Sequence, residues 1–156
     1  MCVLQAAVGD YKEAESVLTA VRNESYRIKN SFVCWLARCY IMNGKPRSAW
    51  DLYLRLEKSA QAFSLLQTIA NDCYKESAFL YAAKAFDVLE RADGRPEYWQ
   101  GKRGACVGAF RQVVAGLEHQ DSLRDIIAIL RSNFNPQVED ITRVIKDWAI
   151  ANGASV

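Results

Sequence analysis

GKPRSAWDLY (residues 44–53) decides the fold, because its pattern recurs in GDYKEAESVL (9–18) and SAFLYAAKAF (77–86). Each stretch places an alanine four positions before a bulky residue. These pairs are Ala14 and Leu18, Ala49 and Tyr53, and Ala82 and Phe86. The alanines are 35 and 33 residues apart, which averages to the 34-residue period of the tetratricopeptide repeat. A small residue lets the two helices of a repeat approach closely, and the bulky residue one turn later fills the space beside it. The spacing therefore predicts stacked helical hairpins.

The segments that precede the second and third of these stretches carry the apolar pattern of a first repeat helix. Its positions are Val33, Leu36, Ala37 and Tyr40 in the second repeat, and Leu66, Ile69, Ala70 and Cys73 in the third. In the first repeat Gly9 occupies the turn between helices, so only residues 1–8 remain for the first helix. We therefore expect a truncated repeat and a longer array upstream. The alternative is a helical bundle in which alanine and leucine match the period by chance.

Beyond residue 94 the repeat pattern decays while the apolar spacing stays helical, and strand-like alternation is missing from the whole sequence. The predicted helices run from about Pro96 to Leu117, from Asp121 or Ser122 onward, and from Pro136 to Gly153. Asp125 is placed for a capping contact at the second of these starts, and Asn135 for a cap at the third. The predicted fold is thus all-α, a tetratricopeptide-type helical-hairpin solenoid. Its repeats occupy residues 1–94, and divergent capping helices at 95–156 continue the same solenoid.

Two features of the divergent part leave alternatives open. Gly101, Gly104 and Gly108 cost about 1 kcal/mol each against alanine within a helix, so either close helix packing or a backbone-bound ligand must offset them. A phosphate loop is disfavoured because the G-x-x-x-x-G-K-[ST] spacing is absent. The last helix carries one apolar stripe, formed by Val138, Ile141, Ile145 and Trp148. That stripe either covers the end of the array or docks on another protein.

Composition narrows the class of protein. In 156 residues, 51% are hydrophobic, and Lys plus Arg number 20 against 18 for Asp plus Glu, so the near-neutral charge disfavours a nucleic-acid binder. The five cysteines include no C-x-x-C pair and indicate reduced thiols in a reducing compartment. No apolar run is long enough to span a bilayer, and the start of the chain lacks the pattern of a signal peptide.

The sequence contains no recognisable catalytic constellation. His119 is the only histidine and lies in the polar link Glu118 to Asp121, which indicates a solvated loop residue. Cys34 and Cys39 are five residues apart and cannot share one face of a helix as metal ligands. We predict no catalytic residues, cofactor, metal or small-molecule substrate.

Three segments carry a more specific resemblance. They are AAKAFDVLER (82–91), EYWQGKRGACVG (97–108) and the pattern I-x-x-V-I-K-x-W (141–148). Together with the repeats, they make the chain resemble the carboxyl-terminal region of a tetratricopeptide family of the intraflagellar transport B complex, IFT-B. Family members run to several hundred residues, so their amino-terminal arrays lie outside this chain.

The resemblance implies a non-enzymatic adaptor that contacts other IFT-B subunits and carries ciliary cargo, such as motility-related axonemal proteins. It also implies the cilium or flagellum and the basal body, on the cytoplasmic side, with no nucleic acid and no membrane insertion. The alternative is a general tetratricopeptide scaffold or chaperone cofactor outside the cilium. A chaperone-tail clamp of that kind needs Lys and Asn at set first-helix positions, where this chain has Cys34, Arg38 and Thr68.

Tetratricopeptide families bind partners through first-helix side chains on the concave face. Carried onto this sequence, the positions include Ser31 and Cys34, and the candidates for protein binding are Arg38, Ile41, Met42, Gln67, Asn71, Tyr74 and Lys75. Trp99, Lys102 and Arg103 form a second candidate patch, because an exposed aromatic residue beside two cations is typical of binding hot spots. The alternative for this patch is a core tryptophan flanked by solvated cations.

Overall fold

A computed structural model describes residues 9–27 and 29–156, and in this part of the chain every regular element is an α-helix. The helices are α1 (Tyr11–Ala20), α2 (Glu24–Arg27), α3 (Asn30–Met42), α4 (Pro46–Leu56), α5 (Ala62–Lys75), α6 (Phe79–Ala92), α7 (Pro96–Val114), α8 (Ser122–Leu130) and α9 (Pro136–Ala151). The all-α prediction is confirmed. The predicted first helix at residues 1–8, and Cys2 with it, lies outside the described residues.

Proline and glycine set many of the helix boundaries. Pro46, Pro96 and Pro136 each occupy the first turn of a helix, where a missing amide hydrogen costs no helical hydrogen bond. Gly44 and Gly153 follow α3 and α9 with positive φ angles of 75° and 69°, a backbone conformation that glycine adopts without strain.

One predicted cap is confirmed and one is wrong. The Asn135 side chain accepts a hydrogen bond from the Gln137 amide at 2.9 Å, as expected for the start of α9. At the start of α8 no side chain of the described residues caps the helix, and Asp125 lies 3.9 Å from Lys84 instead. The Asp125 carboxylate is 58% exposed, so water solvates it in place of a capping contact.

The helices form two layers. We call α3, α5, α7 and α9 the front layer, and α1, α4, α6 and α8 the back layer; the short α2 contacts α3. Consecutive helices from α3 onward pack against each other across the layers, with the most extensive contacts made by α6 against α5 and α7. The structure is therefore a solenoid of helical hairpins.

The alanines that define the repeat lie at the contacts between layers. Ala14, Ala49 and Ala82 are all fully buried. Their bulky partners one turn later are buried too, with exposed fractions of 7% to 9% for Leu18, Tyr53 and Phe86. One hydrophobic cluster runs from Val33 on α3 to Ala149 on α9, and a smaller one joins α1 to α3 through Ala14, Leu18, Leu36 and Cys39.

The glycines of α7 lie directly against aromatic side chains. A methyl group on Gly108 would lie 2.7 to 2.9 Å from three ring carbons of Phe79, and one on Gly101 would lie 2.6 to 2.8 Å from the ring of Phe86. Gly104 faces the Tyr74 hydroxyl, at 2.7 Å from the same kind of added methyl group. The close-packing interpretation of the three glycines is confirmed, because the aromatic rings of α5 and α6 occupy the space that side chains on α7 would need.

The stripe predicted on α9 is only partly correct. Val138 and Ile145 are buried as expected, but the buried face is completed by Thr142 and Ala149. Ile141 and Trp148 lie at its edge and are half-buried, and the Trp148 ring meets Phe110 of α7 edge-on, with 5.9 Å between ring centroids. The covering role is therefore confirmed for the part of the stripe that is buried, which includes Val138 and Ile145. Within residues 9–27 and 29–156, no helix is both long and apolar enough to cross a membrane.

Candidate protein-binding surface

The front layer is continuous because side-chain contacts link each of its helices to the next. Arg38 of α3 pairs with Asp72 of α5, and Gln67 of α5 donates a hydrogen bond to the Tyr98 hydroxyl of α7 at 3.1 Å. Arg103 of α7 donates to Gln137 Oε1 of α9 at 2.7 Å. The candidate residues that stay at least partly exposed therefore lie on consecutive helices of the front layer.

The candidate residues on α3 divide between that surface and the core. Ser31 is exposed, and the half-buried Cys34 thiol donates to Asn30 Oδ1 at 3.4 Å. Met42 is 36% exposed, whereas Ile41 is only 2% exposed. The prediction that Ile41 contacts a partner is wrong for this structure, since its side chain belongs to the main hydrophobic cluster.

Arg38 is engaged within the array. Its Nε donates to Asp72 Oδ2 at 2.8 Å, and its guanidinium lies 5.3 Å from the centre of the Trp35 ring. The hydrogen bond to Asp72 raises the pKa of the Arg38 guanidinium above its usual range. Asp72 is 7% exposed and Arg38 keeps 42% of its side chain exposed. The pair joins the first helices of successive repeats and leaves one edge of Arg38 open to a partner.

The candidate residues on α5 are the most accessible. Asn71 and Lys75 are exposed, and Tyr74 is 41% exposed although its ring packs edge-on against Phe79. Gln67 is half-buried and held by Tyr98. A partially exposed tyrosine with one ring face fixed by packing is the kind of side chain that anchors protein interfaces at low entropic cost.

The second predicted patch is wrong at its centre. Lys102 is completely buried, so neither the exposed patch nor the alternative of solvated cations describes it. Trp99 and Arg103 are half-buried, and the Lys102 ammonium lies 5.5 Å from the centre of the Trp99 ring. Lys102 can be buried because the carboxylates of Asp87 and Glu90 pair with its ammonium group.

Lys102 lies at the centre of an ionic cluster, which we define as Lys102, Asp87, Glu90, Arg91, Ser132 and Asn133. The Lys102, Asp87 and Glu90 side chains are at most 10% exposed, whereas Arg91 and Ser132 are exposed. The Lys102 ammonium donates hydrogen bonds to Asp87 Oδ1 at 3.1 Å, Ser132 Oγ at 2.8 Å and Asn133 Oδ1 at 3.4 Å. It also forms an ion pair with Glu90 Oε2, at 2.7 Å. Arg91 donates to the second oxygen of Asp87 at 2.9 Å, so two cations balance two carboxylates.

The ionic cluster joins three parts of the chain. Its carboxylates come from α6, its lysine from α7, and its hydroxyl and amide from the turn between α8 and α9. Ser132 also donates to Asp87, and Asn133 donates to Glu90. Burying these charges costs desolvation energy, but removing Lys102 would leave the Asp87 and Glu90 carboxylates charged and largely buried. The ionic cluster therefore fixes where the turn that precedes α9 sits on the array.

The burial of Lys102 and the pairing of Arg38 with Asp72 were not predicted from the sequence, although the spacing of these residues is consistent with both. Lys102 falls on the same helical stripe as Ala105, Ala109 and Val113, so its spacing placed it on the buried face. Asp72 follows Arg38 by 34 residues, one repeat period, which places them on neighbouring first helices. Charge alone suggested solvent for both, because buried lysine and aspartate are rare unless they are paired.

Two of the described thiols, Cys73 and Cys106, lie fully buried in the core. Burial raises the pKa of both Cys73 and Cys106 to about 12, which keeps them protonated at neutral pH. Among the described residues no group of three or more His, Cys, Asp or Glu side chains could hold a metal ion.

Comparisons with known proteins agree with one family. The family model described as Intraflagellar transport protein 56 matches residues 1–156. A curated relative named "Intraflagellar transport protein 56 homolog", from Caenorhabditis elegans, is 35% identical over 153 residues. The match covers 94% of this chain but only 26% of that relative, so the chain spans about a quarter of its length. No solved structure matches the chain significantly. The chain belongs to the intraflagellar transport protein 56 family.

Proposed function

We propose that this chain is part of a non-enzymatic adaptor of intraflagellar transport. In this proposal it contacts other subunits of the IFT-B complex and helps carry ciliary cargo, such as motility-related axonemal proteins, in the cilium or flagellum and at the basal body. The observation that carries the proposal is the family match over all 156 residues. The two-layer helical array supports it, since solenoids of this kind present long surfaces to protein partners.

We infer that the contact surface includes the exposed candidate residues of the front layer. These are Met42, Asn71, Tyr74 and Lys75, with the partly exposed Arg38, Gln67, Trp99 and Arg103 beside them. Ile41 and Lys102 are left out because they are buried. The alternative of a chaperone-tail clamp gains no support, because Cys34 and Thr68 stand where such a clamp needs Lys and Asn, and Asp72 already balances the charge of Arg38.

The adaptor proposal is tested in ciliated cells that lack the full-length protein. We expect transport trains to assemble and move while specific axonemal cargo is lost, and the tagged full-length protein to restore it. An unchanged ciliary protein composition in these cells would contradict the proposal.

The contact surface is tested by charge reversal in the full-length protein. We expect Lys75→Glu combined with Asn71→Glu to reduce co-purification of other complex subunits, because both side chains are exposed on the front layer. Arg55→Glu on the back layer is the matched control, since it also reverses an exposed charge. If both variants co-purify with the other subunits as well as the wild-type protein does, the exposed residues of α5 are excluded from the contact surface.

A further inference from the structure

We propose that a hollow at the carboxyl end of α7 binds a short acidic segment of a partner protein. In this proposal one large apolar side chain of the partner enters the hollow. We call it the α7-end hollow. It has a volume of about 260 Å³ and is lined by Phe79, Gly108, Arg111, Gln112, Ala115 and Leu117. The proposal rests on the adaptor function above and states the chemistry of one of its contacts.

The size of the hollow indicates a side-chain anchor. Small-molecule sites usually enclose about 300–1,000 Å³ and converge several polar groups on the ligand. The α7-end hollow is smaller, and most of its lining is the Phe79 ring, the bare backbone of Gly108, and the side chains of Ala115 and Leu117. Such a surface complements one leucine, phenylalanine or similar side chain, as interface hot spots do.

The hollow is held open by contacts on its walls. Gln112 donates from its side chain to the Ser77 carbonyl at 2.7 Å, which ties the end of α7 to the turn between α5 and α6. Ser77 has a φ of 61°, an uncommon conformation for a residue with a side chain. Phe79 is fixed between the Gly108 backbone and the Tyr74 ring, at 5.5 Å between ring centroids. A preformed hollow lowers the entropic cost of binding.

Apolar side chains at the rim are exposed to water. Leu117 is 79% exposed and Val114 is 49% exposed, on the last turn of α7 and the residues that follow it. Ala115 between them is exposed as well. A partner that covers Leu117 and Ala115 together with the rest of the hollow removes apolar surface from water, which favours association.

Arg111 gives the hollow its charge preference. It is the one charged residue in the lining, and among residues 9–27 and 29–156 no carboxylate lies within 4 Å of its guanidinium. The nearby Glu118 is turned toward α8, where it accepts a hydrogen bond from Ser122 Oγ at 2.9 Å. A carboxylate from a partner can therefore pair with Arg111 without displacing an existing ion pair, and an incoming lysine meets repulsion.

The test uses this chain on an array of overlapping peptides that cover the other subunits of the IFT-B complex. We expect the bound peptides to share a large apolar residue within about one helical turn of Asp or Glu. Arg111→Glu should weaken the best of them at least about fivefold in solution titrations, the size expected for one interface charge. Leu117→Ser should weaken them as well. Arg55→Glu, an exposed charge reversal on α4, should leave the affinity unchanged.

Two results would overturn the inference: an array on which nothing binds, or equal losses of affinity for Arg111→Glu and Arg55→Glu. Arg111 and Leu117 are both exposed, so the variants should keep the wild-type thermal unfolding midpoint, which circular dichroism checks. Co-purification of the full-length protein with the complex separates the two proposals. If it co-purifies while the array stays blank, the adaptor function stands and the α7-end hollow is refuted as a binding site.

Discussion

Whether a charged side chain of this array is buried depends on the opposite charge that a neighbouring residue supplies. Lys102 shows this most clearly. Its charge is buried because Asp87 and Glu90 of α6 and Ser132 of the α8–α9 turn surround it with acceptors. Asp72 is buried for the same kind of reason, with Arg38 as its partner. Residue identity therefore predicts exposure poorly wherever a neighbouring helix supplies the opposite charge.

Replacing Lys102 by methionine should lower the free energy of unfolding by about 3 kcal/mol, since the Asp87 and Glu90 carboxylates would lose their buried cation. Urea unfolding followed by circular dichroism measures the loss. Lys58→Met removes an exposed lysine and should change stability by less than about 0.5 kcal/mol. A variant at position 102 as stable as wild type would show that the ionic cluster is not needed for stability.

The buried thiols should make stability depend on pH above about 9. The pKa of Cys106 is about 12 in the folded protein against 9.0 for an unperturbed thiol, so the unfolded chain loses its proton first. Stability is thus fully present below pH 9 and falls between pH 9 and 12, by up to about 1.4 kcal/mol per pH unit for one thiol. Tyr53, Tyr81 and Cys73 also have raised pKa values and act in the same direction.

Cys106→Ala isolates the contribution of this thiol. The fall of unfolding free energy between pH 9 and 11 should be shallower than in wild type, whatever the stability of the variant at neutral pH. Val144→Ala, which changes an exposed side chain with no titratable group, is the control and should keep the wild-type slope. Identical slopes for all three proteins would contradict a raised pKa at position 106.

At the scale of elements, the array depends on small residues where helices approach each other. Ala49 and Ala82 let back-layer helices meet the front layer, and the glycines of α7 let the Phe79 and Phe86 rings of α6 lie against its backbone. These glycines are poor helix formers, so they are explained by packing between α6 and α7 and not by the propensity of α7 itself.

Gly108→Ala should lower stability by about 1 kcal/mol, because the overpacking cost against the Phe79 ring outweighs the gain in helix propensity. Gly94→Ala is the matched control, since a methyl group there meets no described atom within 4 Å. Chemical unfolding of both variants measures the difference. If Gly108→Ala is the more stable of the two, the ring of Phe79 must be free to move away.

At the scale of the whole molecule, two hydrophobic clusters of unequal size hold the array together. The large one extends from α3 to α9, whereas α1 contributes Ala14 and Leu18 to a small cluster with Leu36 and Cys39. The stability of a solenoid is set mainly by contacts between neighbouring units. The two ends of the chain should therefore differ in local stability.

Amide hydrogen exchange followed by mass spectrometry tests this difference. We expect α1 to open at a lower free energy than α6, which packs extensively against both α5 and α7. Lys102→Met should speed exchange in α6 to α9 more than in α1, because the ionic cluster belongs to that end. Uniform exchange along the chain would instead indicate one fully cooperative unit.

Much of the fold could be predicted from the sequence because helical period and repeat spacing are local properties. The spacing of Ala14, Ala49 and Ala82 predicted the helical hairpins. Pro96 and Pro136 predicted where two of the later helices begin. The predicted cap at Asp125 was wrong, since a short exposed carboxylate can be solvated by water and need not cap the helix. The division at residue 94 and the tetratricopeptide type of the repeats stay predictions.

The candidate site was less predictable. Spacing placed Asn71, Tyr74 and Lys75 on a first helix, and the structure shows all three exposed there. It could not distinguish them from Ile41 and Lys102, which lie on other front-layer helices but face the core.

The sequence by itself determined the helical period, the hairpin repeat and the family resemblance, because each depends on residues in a linear pattern. Only the tertiary structure decided which charges are buried and where the α7-end hollow lies, since both depend on groups that different helices bring together.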